Sequence, residues 1–324
     1  MSDYLFYRYD CAKRVNRFSK HICHIEVFNC VRKGNPIMKT VYLALLVTFL
    51  TIFIPTFLDV SAVWTVLPGL ALGVATYVYI NRKYGKLVNA ILEEANREVQ
   101  AAQMIMQRAG QAQNAAAQRA AQQAMEKKSA LAVEKLKEGF QYSDWQLGSQ
   151  TSLSAQIGML IFSNNIFLAA QGQKNKLKDA IPYLESSLVT GWRANLLQGL
   201  WHAWLRLAVC YFKTNKGIDA IKEVMENIVT VVKKEGLVWS VYAWFLVQNK
   251  QTDQAIEVLV RGATSCPDPV LKANLQALQN GKALKMTDYG QVWWGLGLEL
   301  PKHLTAKQQS MGHPRMKGNR YSRR

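Results

Sequence analysis

Charge is the first thing missing from this chain. Between Val41 and Ile80, forty residues carry one charged side chain, Asp59. Cysteine is scarce too. The five thiols, Cys11, Cys23, Cys30, Cys210 and Cys266, show no C-x2-C or other paired spacing. That argues against a disulfide framework and for free thiols in a reducing compartment. Of the five histidines (His21, His24, His202, His303 and His313), only His202 falls in a region that reads as folded. There it sits beside Trp201 and Trp204, as a core or groove residue does. The sequence has no G-x-S-x-G, no G-x4-G-K-[ST] and no H-E-x-x-H. Gly295-Leu296-Gly297 lacks a third glycine and a preceding strand, and carboxylates such as Glu223 and Glu226 are spaced as solvated helix faces. Cys11, His21, Cys23, His24 and Cys30 are soft ligands without a zinc-site spacing, and they read as part of a leader. No catalytic residue, cofactor or metal is expected.

The uncharged stretch holds two apolar runs of 18 or more residues, Val41–Leu58 and Val60–Ile80. Each is long enough to cross about 30 Å of hydrocarbon at about 1.5 Å per helical residue. Pro55, Asp59 and Ser61 supply the polar break of a hairpin. Arg32, Lys33 and Lys39 precede the first run, and Arg82, Lys83 and Lys86 follow the second. Basic flanks stay on the cytoplasmic side, so both termini are expected there, in an integral protein of a bacterial inner membrane. Met38-Lys39-Thr40 also reads as a translation start, with Val60-Ser61-Ala62 resembling a signal-peptidase site. On either reading, everything after Arg82 is cytoplasmic.

The net charge is +18, with +4 in residues 1–37 and +7 in residues 302–324. The chain therefore has basic ends on a mildly basic body, which is not the footprint of a nucleic-acid-binding domain. Five segments follow. They are a basic leader (1–37), a transmembrane hairpin (38–82), a helical stalk (83–140), a helical-repeat domain (147–301) and a disordered basic tail (302–324).

Lys83–Glu138 has no proline, and Ala101–Met125 contains ten alanines and seven glutamines. These are strong helix formers, and a continuous helix would run roughly 80 Å. Leu87, Ile91, Val99, Ala102, Met106 and Ala109 form a loose apolar stripe, compatible with a coiled coil. The segment reads as a stalk.

Beyond Leu147, amphipathic helices are expected near Ser154–Gln171, Leu177–Leu188, Leu196–Thr214, Gly217–Lys234, Val238–Lys250, Thr252–Thr264 and Pro269–Leu284. No strand-like alternation stands out, so the fold class is all-α. Trp204-x2-Leu207-Ala208-x2-Tyr211-x8-Ala220 recurs 35 residues later as Trp239-x2-Tyr242-Ala243-x2-Leu246-x8-Ala255. Ala180-Ile181 is a degenerate earlier counterpart, and Pro267 falls where such a unit closes. This resembles the tetratricopeptide repeat (TPR), a helix–turn–helix of about 34 residues. Val232 stands where the middle repeat would carry its closing proline, and the earliest repeat lacks the Trp and Tyr.

The resemblance implies an α-solenoid that binds a partner protein in a concave groove. Groove-facing positions would be His202, Leu205, Val209, Phe212, Lys213, Ser240, Trp244 and Gln248, with Phe162 and Asn165 from the degenerate repeat. Their apolar character fits an amphipathic partner helix. The aromatic stretch Tyr289–Pro301, with Trp293 and Trp294, reads as a cap over the last helices.

The expected function is a membrane-anchored, cytoplasm-facing scaffold that recruits a partner protein. In a second reading, the tail 302–324 binds RNA, the ribosome or anionic lipid. In a third, the hairpin drives a homo-oligomeric membrane assembly through Gly69, Gly73 and Ala75.

Overall fold

The computed structural model describes residues 39–57, 62–111, 115–146, 148–170 and 177–299. The leader with its Cys/His cluster, the tail 302–324 and Asp59 lie outside the described residues. Among these residues all regular structure is helical, in twelve α-helices joined by short 3-10 turns, and there is no strand. The chain divides into two compact units. One is Met1–Lys86 with Tyr142–Leu147, and the other is Leu87–Gln141 with Gly148–Arg324.

The first unit contains α1 (Lys39–Phe57) and the beginning of α2 (Ala62–Gln111). These two helices meet along small residues. A Cβ added at Gly69 would lie 2.7 Å from Ile52 Cγ1, and one at Gly73 would lie 1.9 Å from Thr48 Oγ1. Gly69-x3-Gly73 is therefore a groove into which α1 fits. The hydroxyls of Thr48, Thr51 and Thr76 donate to backbone carbonyls one turn back, at 2.8–2.9 Å, so the helices spend these donors internally. At the charged end, residues 142–146 return to the helices. Thr40 Oγ1 donates to the Trp145 carbonyl, and Tyr84 stacks on Trp145 with ring centroids 4.7 Å apart. Among the described residues no helix is long and apolar enough to cross a membrane.

The second unit corrects the expected stalk. The segment is helical but does not run as an 80 Å rod. α2 ends at Gln111, and α3 (Ala115–Glu138) lies back along it. Lys128 Nζ reaches Glu98 Oε2 at 2.7 Å, and Lys135 pairs with Glu94. The pairs step in opposite directions along the two helices, so these run antiparallel. The buried residues explain why. Val88, Ala95, Ala102 and Ala109 recur every seven residues on α2, and Ala121, Ser129, Ala132 and Leu136 are buried on α3. Each alanine buries little area, but a row of them lets two backbones approach closely along their length.

α4 (Ser149–Ala170) packs on α3, with Ser129 Oγ donating to Asn164 Oδ1 at 3.2 Å. The helix expected over Leu177–Leu188 is a 3-10 turn, Leu177–Asp179, followed by α5 (Ile181–Ser187), with Pro182 in its first turn. The helix expected over Leu196–Thr214 is also divided. α6 (Trp192–Leu196) stops, a 3-10 turn containing Gly199 follows, and α7 (Trp201–Lys213) begins. α8 (Ile218–Val231), α9 (Gly236–Gln248), α10 (Thr252–Ser265) and α11 (Pro269–Gln279) complete the helix pairs. Asp268 caps α11 by accepting from the Val270 and Leu271 N–H groups.

The 35-residue offset is structural as well as sequential. Trp204 and Trp239 are both buried, and so are Ala208 and Ala243. Each indole donates to a backbone carbonyl, Ser187 O and Lys233 O, at 2.9 Å. The turns match too. Asn215 and Lys250 take the left-handed conformation, with φ of 54° and 60°. The N–H one residue later closes back on Tyr211 O or Leu246 O, at 3.0 and 2.9 Å.

Candidate functional site

α7 and α9 carry the eight positions read as a groove, and the structure places them unequally. His202, Lys213 and Gln248 are exposed, and Phe212 is half-buried. Leu205, Val209, Ser240 and Trp244 are buried, which corrects the open apolar groove expected from the sequence. Of the two weaker candidates, Phe162 is fully buried. Asn165 is also buried, and its side-chain amide donates to Ile161 O at 2.8 Å.

The groove is filled by this chain's own C-terminal aromatic segment. A 3-10 turn, Met286–Tyr289, leads into the short α12 (Gln291–Trp294). The Tyr289 hydroxyl lies 2.8 Å from Ser240 Oγ and 3.3 Å from Asp268 Oδ2. Trp293 is fully buried, and its ring meets Trp244 edge to face at 5.4 Å. Phe212 closes the cluster, 5.2 Å from Trp244 and 5.4 Å from Phe245. Gly290 and Gly297, with φ of 59° and 64°, bend the chain on either side of α12. A Cβ at Gly297 would also sit 2.7 Å from Ile166 on α4.

The density of aromatics in 289–301 was the sequence signal for this segment. That it lands on Ser240 and Trp244, and that Glu299 joins it, had no signal in the sequence. Arg206, on α7, carries no motif in the sequence. Its Nη1 donates to His202 O at 3.0 Å, its guanidinium lies over Phe162, and its buried Nε has no hydrogen-bond partner. Burial lowers its pKa. Burial, with Arg206 alongside, also lowers that of His202.

Burial pushes the Cys210 thiol up to about 12, which keeps it protonated and unreactive at neutral pH. Tyr211, Tyr242 and Tyr289 are likewise held protonated by burial and neighbouring carboxylates. Among the described residues no group of three His, Cys, Asp or Glu side chains converges as metal ligands would. The arrangement offers a surface with a built-in occupant. Compared with family models, with curated proteins and with solved structures, the chain gives no match.

Proposed function

We propose that this protein is a membrane-anchored adaptor whose TPR-like helical-repeat domain holds a partner protein at the cytoplasmic face of a membrane. The observation that carries the reading is where exposed apolar surface lies. Of twenty-one exposed large apolar side chains among the described residues, fifteen fall between Tyr42 and Tyr79. They lie on two helices that pair through Gly69 and Gly73, the small-residue contact favoured where lipid is the solvent. Water does not tolerate an apolar patch of this extent on a folded monomer, whereas a bilayer requires it. No helix among the described residues is by itself long and apolar enough to cross a membrane, but α1 already has 19 residues, about 28 Å of rise, and the uncharged run of the sequence continues to Leu58. The basic flanks support a cytoplasmic location for both ends.

Recruitment of a partner rests on the 35-residue repeat and on the half-open aromatic edge at Phe212, with exposed Lys213 next to it in sequence and exposed His202 and Gln248 elsewhere on α7 and α9. A partner helix would engage this edge and compete with Trp293 for Trp244. Two measurements test the proposal. A carbonate wash of membranes from cells making the full chain should leave it in the pellet, and release into the supernatant would overturn the anchor. Photo-crosslinking from position 212 should yield the same protein adduct in native and Trp293→Ala chains, more strongly in the latter. Adducts only to lipid or to the chain itself would overturn the adaptor reading.

A further inference from the structure

We propose that Arg82, Lys83 and Lys86, beside the stacked rings of Tyr84 and Trp145, form a collar that binds the headgroups of anionic phospholipids. The inference rests on the membrane reading above and names the lipid class the anchor selects.

Three observations converge within the first unit. The first is a constructed aromatic foot. Trp145 stacks on Tyr84 at 4.7 Å with an interplanar angle of 13°, and Tyr142 lies 6.1 Å from Tyr84. Gly85 leaves room for Gln146, whose Nε2 would lie 3.3 Å from a Cβ there. Just inside this foot, Tyr42 and Tyr79 are 55% and 69% exposed, while the exposed large apolar side chains farther along the helices are Leu, Val, Phe and Ile. Tyr and Trp concentrated at one end of an apolar band mark the level where hydrocarbon gives way to headgroups.

The second observation is uncompensated charge. Arg82, Lys83 and Lys86 are exposed and join none of the ion pairs among the described residues. The one carboxylate among the described residues of this unit, Asp144, is engaged by Lys39 at 3.1 Å. Arg82 and Lys86 are one helical turn apart and share a face.

The third is spacing. Arg82 follows the exposed Tyr79 by three residues, about 4.5 Å of helix rise. A phosphodiester at that distance from an apolar band belongs to a lipid. A polynucleotide phosphate would meet exposed hydrocarbon-seeking side chains within one turn of the cations.

The full chain, reconstituted in phosphatidylcholine vesicles carrying about one-fifth phosphatidylglycerol, provides the test. After exchange into neutral detergent, the phospholipids retained per chain are counted. Phosphatidylglycerol should be retained in preference to phosphatidylcholine. The triple variant Arg82→Gln/Lys83→Gln/Lys86→Gln should lose that preference by roughly a hundredfold, since each surface cation contributes roughly fivefold. Should the triple variant fail to insert, the single variants decide, each losing about fivefold. Equal retention of both lipids by a native chain that still resists carbonate overturns the collar and leaves the anchor standing. Release by carbonate removes the anchor and the collar together. Displacement of the retained phosphatidylglycerol by an RNA oligonucleotide would reassign the cations to nucleic acid.

Discussion

Trp244 and Trp293 meet edge to face with 70° between their planes, and both indole N–H groups donate to the carboxylate of Glu299, each at 3.2 Å. One acid thus ties the last repeat helix pair to the segment that covers it. Trp293→Ala should destabilise the second unit by about 3–5 kcal/mol, the usual cost of emptying a fully buried aromatic site. Glu299→Gln should cost about 1–2 kcal/mol, because the amide oxygen still accepts one indole bond. Chemical denaturation of the full chain in detergent gives both values. Equal losses would mean that the carboxylate, and not the buried ring, anchors the segment.

The folded-back stalk makes a distance prediction. Had α2 and α3 formed one rod, residues 98 and 128 would lie about 45 Å apart at 1.5 Å per residue. Instead Lys128 and Glu98 form an ion pair at 2.7 Å. Labels introduced at Glu98 and Lys128 as unnatural amino acids should report a separation below about 20 Å by pulsed electron resonance, given the 8–10 Å between packed helix axes. A distribution centred near 45 Å would restore the rod.

Element type was readable from the residues because local preference and burial agree. Alanine and glutamine favour helix in α2 and α3, and the Trp and Ala positions of α7 and α9 are both helical and buried. Direction was harder to read. The stripe read along the stalk, Leu87, Ile91, Val99, Ala102, Met106 and Ala109, contains two of the residues of the packing face, Ala102 and Ala109, which are buried, but not Val88 or Ala95. Leu87 is 40% exposed and Val88 is buried, because the seam follows the alanines at 95, 102 and 109. Large apolar residues usually mark the inner face, and here close approach required small ones. The burial of half the groove positions was illegible for a different reason. The helical period correctly places Ser240 and Trp244 on one side of α9, one turn apart. What covers that side arrives from Tyr289 to Glu299, some fifty residues later, and periodicity says nothing about such a return.

Gly262 on α10 tests how tightly the repeat is packed. A Cβ there would lie 2.7 Å from Trp239 Cγ, against a ring that cannot retreat because its N–H is fixed to Lys233 O. Gly262→Ala should therefore cost about 1–3 kcal/mol despite the better helix propensity of alanine. Gly199→Ala is the matched control, since nothing lies within 4 Å of its Cβ position. Its unfolding midpoint should match the native one. If Gly262→Ala were equally silent, the close contact between α9 and α10 at Trp239 would be wrong.

Glu226 provides a pH test with a defined sign. Arg261 donates to both its carboxylate oxygens, at 3.0 and 2.8 Å, and the Tyr242 hydroxyl donates at 3.0 Å. These bonds, Arg261 first, hold the Glu226 carboxyl below its ordinary value. The unfolded chain therefore takes up this proton more readily than the folded one. The contribution is complete above the ordinary carboxylate range and is lost as pH falls through the lowered folded value. Both partners are partly exposed, with side-chain accessibilities of 43% and 42%, so the pair should contribute about 0.5–1 kcal/mol. Arg261→Gln should lower stability by that amount above about pH 5, and the gap should close towards pH 3. Urea denaturation across this range measures it. Arg261 also lies over the Trp239 ring, 5.5 Å from its centroid. A gap that stayed constant with pH would assign the loss to that contact and leave the Glu226 carboxylate without a part in it.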